Sequence, residues 1–162
     1  MAQVDCFLKI DGAEGESTDH KHKGEIEVQT WSLGAFNEHT AGQYGGAGAG
    51  KVKLQDLHFT SRIGKEGPKL FEFCATGEHA KKAVMVQRKA GKDQQEYLKI
   101  TFTDPFVTSY QVSGSGESSS LPHQQVSLGY SKVEIEYKEQ KPDGTLGGSV
   151  KAGWDAMQNK KV

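Results

Sequence analysis

Three stretches of this chain alternate apolar and polar residues with period two and then slip by one position. Between Glu25 and Phe36, Ile26 and Val28 fall on even positions, whereas Trp31, Leu33 and Ala35 fall on odd ones. Val52 and Leu54 give way to Leu57 and Phe59 in the same manner, and Val126, Leu128 and Tyr130 to Val133, Ile135 and Tyr137. A strand presents successive side chains to opposite faces, so a one-residue slip means a β-bulge or a change in which face is buried. Bulges sharpen bend and twist, as a sheet needs in order to curl closed. A change of buried face implies contacts beyond the chain's own core. Both point away from a flat, open sheet.

The other periodic segments are strands as well. Val4 to Ile10 is a short apolar run that stops at the turn pair Asp11-Gly12. Lys82 to Lys89 ends at Ala90-Gly91-Lys92-Asp93, Gln94 to Thr103 points Leu98, Ile100 and Phe102 inward, and Asp104-Pro105 turns the chain into Phe106 to Val112. Val150 to Met157, with Trp154, supplies a last strand. Glu14 to Gly24 and Ser113 to Ser120 are polar loops, and Pro142-Asp143-Gly144 and Gly147-Gly148 are turns. One helix is expected, over residues 68–77. Pro68 suits a first turn, Leu70, Phe73 and Cys74 share a face with Phe71 alongside, and Gly77 suits the C-terminal cap. The expected fold is mostly β: a single domain over residues 1–162, a compact β-barrel of antiparallel strands with one short α-helix plugging an open end.

Between two of the strands lies a Gly-rich extended loop, about residues 38–51, containing Gln43, Tyr44, Gly45, Gly46, Gly48 and Gly50. Glycine loses much backbone entropy on ordering and packs nothing, so the run needs a reason other than stability. Gly45-x-x-x-x-Gly50-Lys51 approaches the phosphate-loop pattern, but Val52 stands where Ser or Thr must hold magnesium. The segment after Lys51 alternates as a strand, where phosphate binding needs a helix N-terminus. The run is an arm whose packing partner is another copy of the chain.

Further chemistry is hard to assemble. Ser113-Gly114-Ser115-Gly116 leads into more loop and makes no nucleophile elbow. His20 and His22 lack neighbouring ligands for a metal and are expected as exposed loop histidines. His58 faces away from Leu57 and Phe59, and Asp5, Asp11, Glu25 and Glu27 look like strand-edge charges and turn formers. No enzyme, cofactor or metal site is expected. With 20 Lys and Arg against 21 Asp and Glu, the net charge of −1 gives no case for nucleic acid or an anionic membrane. The N-terminus has no Sec-type signal pattern, and no apolar run approaches the ~18 residues of a membrane span. Cys6 and Cys74 are expected to be free thiols in a protein folded in the cytoplasm.

A string of matches in register carries a resemblance that runs nearly end to end. It includes Met1-Ala2-x-Val4-Asp5, Phe7-x-Lys9-Ile10, Gly15-Glu16-Ser17, Trp31-Ser32, Lys51-Val52, Gln55-Asp56 and Phe59-Thr60. It continues through Arg88-Lys89-Ala90-Gly91, Glu96-Tyr97, Gly114-Ser115-Gly116, Tyr137, Asp143-Gly144 and Gly153-Trp154. In these the chain resembles Hcp, the haemolysin-coregulated protein of the bacterial type VI secretion system. The resemblance implies hexameric rings that stack into a tail tube inside a contractile sheath and are expelled behind a VgrG spike. It also implies effectors carried or stabilised in the ring lumen, and secretion without a signal peptide. No C-terminal toxin extension of the kind some relatives carry is visible. On this resemblance the Gly arm reaches an adjacent ring, and the lumen face maps to the strand around Ser32. The alternative is a monomeric β-barrel for a small ligand, with the Gly-rich loop as its lid.

Overall fold

The computed structural model describes residues 4–39, 49–89, 94–117 and 119–162. In chain order the elements begin with β1 (Val4–Ile10), β2 (Ile26–Glu27), β3 (Thr30–Ser32), β4 (Ala35–His39), β5 (Ala49–Leu54) and β6 (Leu57–Arg62). After the helix α1 (Glu66–Thr76) come β7 (Lys82–Lys89), β8 (Glu96–Thr103) and β9 (Phe106–Ser113). The last are β10 (His123–Gly129), β11 (Lys132–Gln140), β12 (Leu146–Asp155) and β13 (Lys160–Lys161). The chain is mostly β, as its periodicity indicates, and among the described residues there is one helix and every strand pair is antiparallel. A seven-stranded sheet runs β13-β12-β11-β8-β7-β1-β2, a four-stranded sheet runs β3-β6-β10-β9, and β4 with β5 forms a separate ribbon.

All three slips fall where the chain leaves one sheet for another. The first expected strand is three: β2 belongs to the large sheet, β3 to the small one and β4 to the ribbon. The backbone shows the corner at two adjacent residues, since the N–H of Val28 donates to Cys6 in the large sheet (2.9 Å) and that of Gln29 to Thr60 in the small one (2.8 Å). The second slip separates β5 from β6, and the third separates β10 from β11. True register shifts lie elsewhere, for example between Ser127 and Leu128 and between Gln87 and Arg88. A change of buried face therefore needs no outside contact. The inward sets of both sheets meet in one core built on Leu8, Ile26, Leu57, Phe59, Met85, Ile100, Phe102, Val126 and Leu128. Each such side chain contributes roughly 1.5–3 kcal/mol on burial.

The helix begins at Glu66, so Pro68 sits inside its first turn as its missing N–H allows. It ends at Gly77, whose φ of 73° lets its N–H reach the Phe73 carbonyl (2.9 Å). Leu70 and Phe73 enter the core, whereas Phe71 is exposed and meets Tyr110 of β9 edge-on, ring centroids 6.2 Å apart. At the C-terminal end, Gly147-Gly148 is no turn; both residues lie within β12. Cys6 and Cys74 are both free, and burial pushes the Cys6 thiol up to about 12, which leaves it unreactive.

The expected solvated loop between β1 and β2 behaves otherwise. Phe7 is opposite Val86 in the ladder, and both point away from the central core. They are nevertheless only 4% and 6% exposed, and the loop covers Phe7 through His22. His22 is correspondingly buried rather than exposed, with its ring stacked on Phe7 at 4.5 Å and 8°. Gly15 explains part of this path: a Cβ there would stand 2.5 Å from the Glu25 carbonyl oxygen, so only glycine lets the two arms of the loop close.

Candidate functional site

Alternation within the four-stranded sheet sorts its side chains into two chemistries. Leu57, Phe59 and Ser61 of β6 and Gln124, Val126 and Leu128 of β10 point inward and are buried. The intervening His58, Thr60, Gln125 and Ser127 point outward, beside Thr30 and Ser32 of β3 and Ser109 and Gln111 of β9. These residues line a shallow depression of about 620 Å³ that carries no Lys, Arg, Asp or Glu. Hydroxyls and an imidazole hold one another across the strands. Thr30 Oγ1 and Thr60 Oγ1 are 2.6 Å apart, as are His58 Nδ1 and Ser127 Oγ. At the margin, Thr108 donates from its hydroxyl to Asp56 Oδ2 (2.6 Å). Ser32 is exposed on this face, opposite His58 in the ladder. The outer face of the large sheet is different: there Lys151 approaches Glu136 at 3.5 Å, and Lys99 stands opposite Glu136.

Beneath the polar face a buried network docks the helix. Gln124 donates from Nε2 to Ser61 Oγ (2.9 Å) and Glu66 Oε1 (2.6 Å), and Tyr110 donates its hydroxyl to Gln124 Oε1 (3.0 Å). Burial pushes the Glu66 carboxyl above the usual carboxylate range, and the Glu16 charge adds to this. A carboxyl raised on folding adds stability that is fully present below its unfolded value of about 4.3 and is lost as pH rises through its folded value. Glu66→Gln is therefore expected to raise the melting temperature at pH ~7 and to leave it near wild type at pH ~4, checked by thermal denaturation at the two values.

The predicted arm contacts divide. Gln43, Tyr44, Gly45, Gly46 and Gly48 lie outside the described residues, and Gly50 lies in β5, paired against β4. Beside this ribbon runs an open apolar groove of about 810 Å³, lined by Leu33, Val52, Ile135 and Trp154 among others. Asp5 and Glu25, expected as strand-edge charges, each meet a nitrogen donor. Asp5 accepts from Arg88 Nε (3.3 Å), and Glu25 Oε2 lies 2.8 Å from His22 Nδ1. His58 does face away from the core, but its bond to Ser127 and the hydroxyl row around it were not singled out from sequence. The signal was present: His58 and Thr60 of β6 and Gln125 and Ser127 of β10, alternate residues on that face, are uncharged and polar, and Arg62 stands only at the end of β6.

A sequence model of the family described as type VI secretion system effector, Hcp, matches residues 7–137. Protein hcp1 of Pseudomonas aeruginosa is 43% identical over 158 residues, covering 96% of this chain and 97% of that protein. The crystal structure of Hcp1 from Salmonella typhimurium superposes with a TM-score of 0.80 at 40% identity, covering 100% of both chains. A structure of a type six secretion system protein superposes with a TM-score of 0.92 at 31% identity, over 99% of this chain and 100% of that one. No helix among the described residues is long and apolar enough to cross a membrane. With near full-length identity and the same arrangement of strands, the chain belongs to the Hcp family of type VI secretion system proteins, which are secreted.

Proposed function

We propose that the chain forms hexameric rings that stack into the inner tail tube of the secretion apparatus, expelled behind a VgrG spike when the surrounding sheath contracts. The polar face of the four-stranded sheet lines the lumen, where effector proteins are held, and the role is structural rather than catalytic. The observation that carries this reading is the uncharged row of hydroxyls and amides around Ser32, set against the charged outer face of the large sheet. A wall of this kind hydrates well and offers hydrogen bonds to many protein surfaces without selecting a charge.

Apolar side chains stand at both margins of that sheet. Phe71 and Val112 are exposed at β9, and Leu33, Val52 and Trp154 line the groove beyond β3. Two different patches at opposite edges suit a head-to-tail contact with a second copy, the kind that closes into a ring. The small-ligand barrel has less support, since Leu8, Leu57, Phe59 and Phe102 fill the space between the sheets where a ligand would sit. Light scattering of the purified protein is expected to give a mass several-fold above the 17.7 kDa chain, and negative-stain images uniform six-fold rings. A monodisperse monomer at high concentration would count decisively against the proposal.

The arm is proposed to join ring to ring. Deletion of Gln43 to Gly48 is expected to leave folded rings while greatly shortening or abolishing tubes, scored by electron microscopy. Tubes of unchanged length would remove the arm from the stacking contact.

A further inference from the structure

The outward side chains of the four-stranded sheet stand in two rows. Ser32, His58, Ser127 and Ser109 lie side by side across its four strands, and Thr30, Thr60, Gln125 and Gln111 form the next row. Half of each row is engaged within the chain: His58 Nδ1 and Ser127 Oγ are 2.6 Å apart, as are the hydroxyls of Thr30 and Thr60. Ser32, Ser109, Gln111 and Gln125 are exposed, and their side chains make no hydrogen bond to any other described residue. An engaged side chain gives up a bond when a partner takes it, whereas one that faces only water exchanges like for like.

Gln111 and Gln125 are the longest of these four and are directly opposed in the ladder, which sets their Cβ atoms about 5 Å apart. Each carboxamide presents an acceptor oxygen and two N–H donors. Two of them abreast match a peptide group, or the carboxamide of an Asn or Gln, donor to acceptor and acceptor to donor. A charged group brought to this face would shed water without meeting a counter-charge, because no Lys, Arg, Asp or Glu lines the depression. Asp56 and Arg62 stand only at its margins.

We propose that Gln111 and Gln125 are the specificity-determining pair of the cargo face, and that they bind exposed main-chain amides or Asn and Gln side chains of the cargo protein. This rests on the lumen reading above and names the groups through which it acts. Ordering two long side chains costs entropy, which is offset when both amides bond one segment of the cargo. In a ring the pair recurs in every copy, so contacts that are weak singly add.

The test co-expresses rings with an effector protein of the same secretion apparatus and measures the effector retained per purified ring. Gln111→Met with Gln125→Met keeps the length of both side chains and adds no charge; retention is expected to fall about tenfold, as loss of two or more neutral hydrogen bonds requires. Thr30→Val with Thr60→Val removes a polar pair of the same row that is engaged with itself, and is expected to change retention less than about twofold. Raising NaCl from about 0.1 M to about 0.5 M is expected to leave wild-type retention unchanged, because no charge is being screened. Should the glutamine variant fail to assemble, the salt series on wild type still decides. Equal losses in the two double variants, or release by salt, overturn the inference. If the glutamine variant keeps its effector where Ser32→Lys releases it, the lumen reading stands and this inference falls. If neither variant releases it, or wild-type rings retain none, both fall together.

Discussion

Replacing Arg88 with methionine is expected to lower the melting temperature by roughly 5–10 °C, from a loss of about 2–3 kcal/mol. The guanidinium is 2% exposed and holds two carboxylates: Nη1 donates to Asp19 Oδ1 at 3.0 Å, Nη2 to Asp19 Oδ2, and Nε to Asp5 Oδ2 at 3.3 Å. It also lies 4.8 Å from the centroid of the Phe7 ring. Methionine keeps much of the volume but leaves both acids without their cation. The usual cost of stripping one partner from a buried pair is about 3–5 kcal/mol, and it is discounted here because Asp5 is partly exposed and can rehydrate. The pH dependence supplies a second check. Arg88 holds the Asp19 carboxyl down at about 2, below its ordinary value. A lowered carboxyl adds stability that is fully present above the unfolded value of about 3.9 and is lost as pH falls through the folded one. Wild-type protein should therefore lose stability between about pH 4 and pH 2 more steeply than the variant. Thermal melts monitored by circular dichroism across that range test both statements. Parallel acid limbs would show that Arg88 acts by packing alone.

Ser32→Lys is expected to abolish cargo retention while leaving the fold and the ring intact. The hydroxyl is exposed on the edge strand of the uncharged face, so the longer side chain meets solvent and the domain should change by no more than about 0.5 kcal/mol. The lysine places a flexible cation beside His58 and, under the proposed assembly, repeats it around the lumen in every copy. Such a wall repels basic surfaces and replaces hydroxyl contacts with a mobile, hydrated charge. Co-purification of an effector with rings of wild type and variant, at matched ring yield by light scattering, reads the effect. Equal retention would remove Ser32 from the cargo surface. A loss of rings together with cargo would instead place Ser32 at a contact between copies.

The strands, the helix and its glycine cap were legible because each is a local pattern. Period-two alternation, a proline in the first turn and a left-handed residue after the last carry their causes within a few positions of the chain. The three slips were legible too, but not their meaning. A bulge and a change of sheet leave the same mark on parity, and only the partner strands distinguish them. At Val28 and Gln29 the choice rests on hydrogen bonds to Cys6 and Thr60, residues far away in sequence. The small polar character around Ser32 could be read from sequence, whereas its neighbours on that face come from four separate strands.

By itself the sequence determined which segments alternate, most of the places where the chain turns, and that a glycine-rich stretch lies between two of the strands. The tertiary structure alone decided which charges are buried. Arg88 meets Asp19 across 69 positions, and His22 meets Glu96 across 74. Desolvating such groups is tolerated only when the partner is in place, and no local pattern announces a partner brought by another strand. That is why a loop of ordinary polar composition, expected to be solvated, became the cover of a second apolar facet.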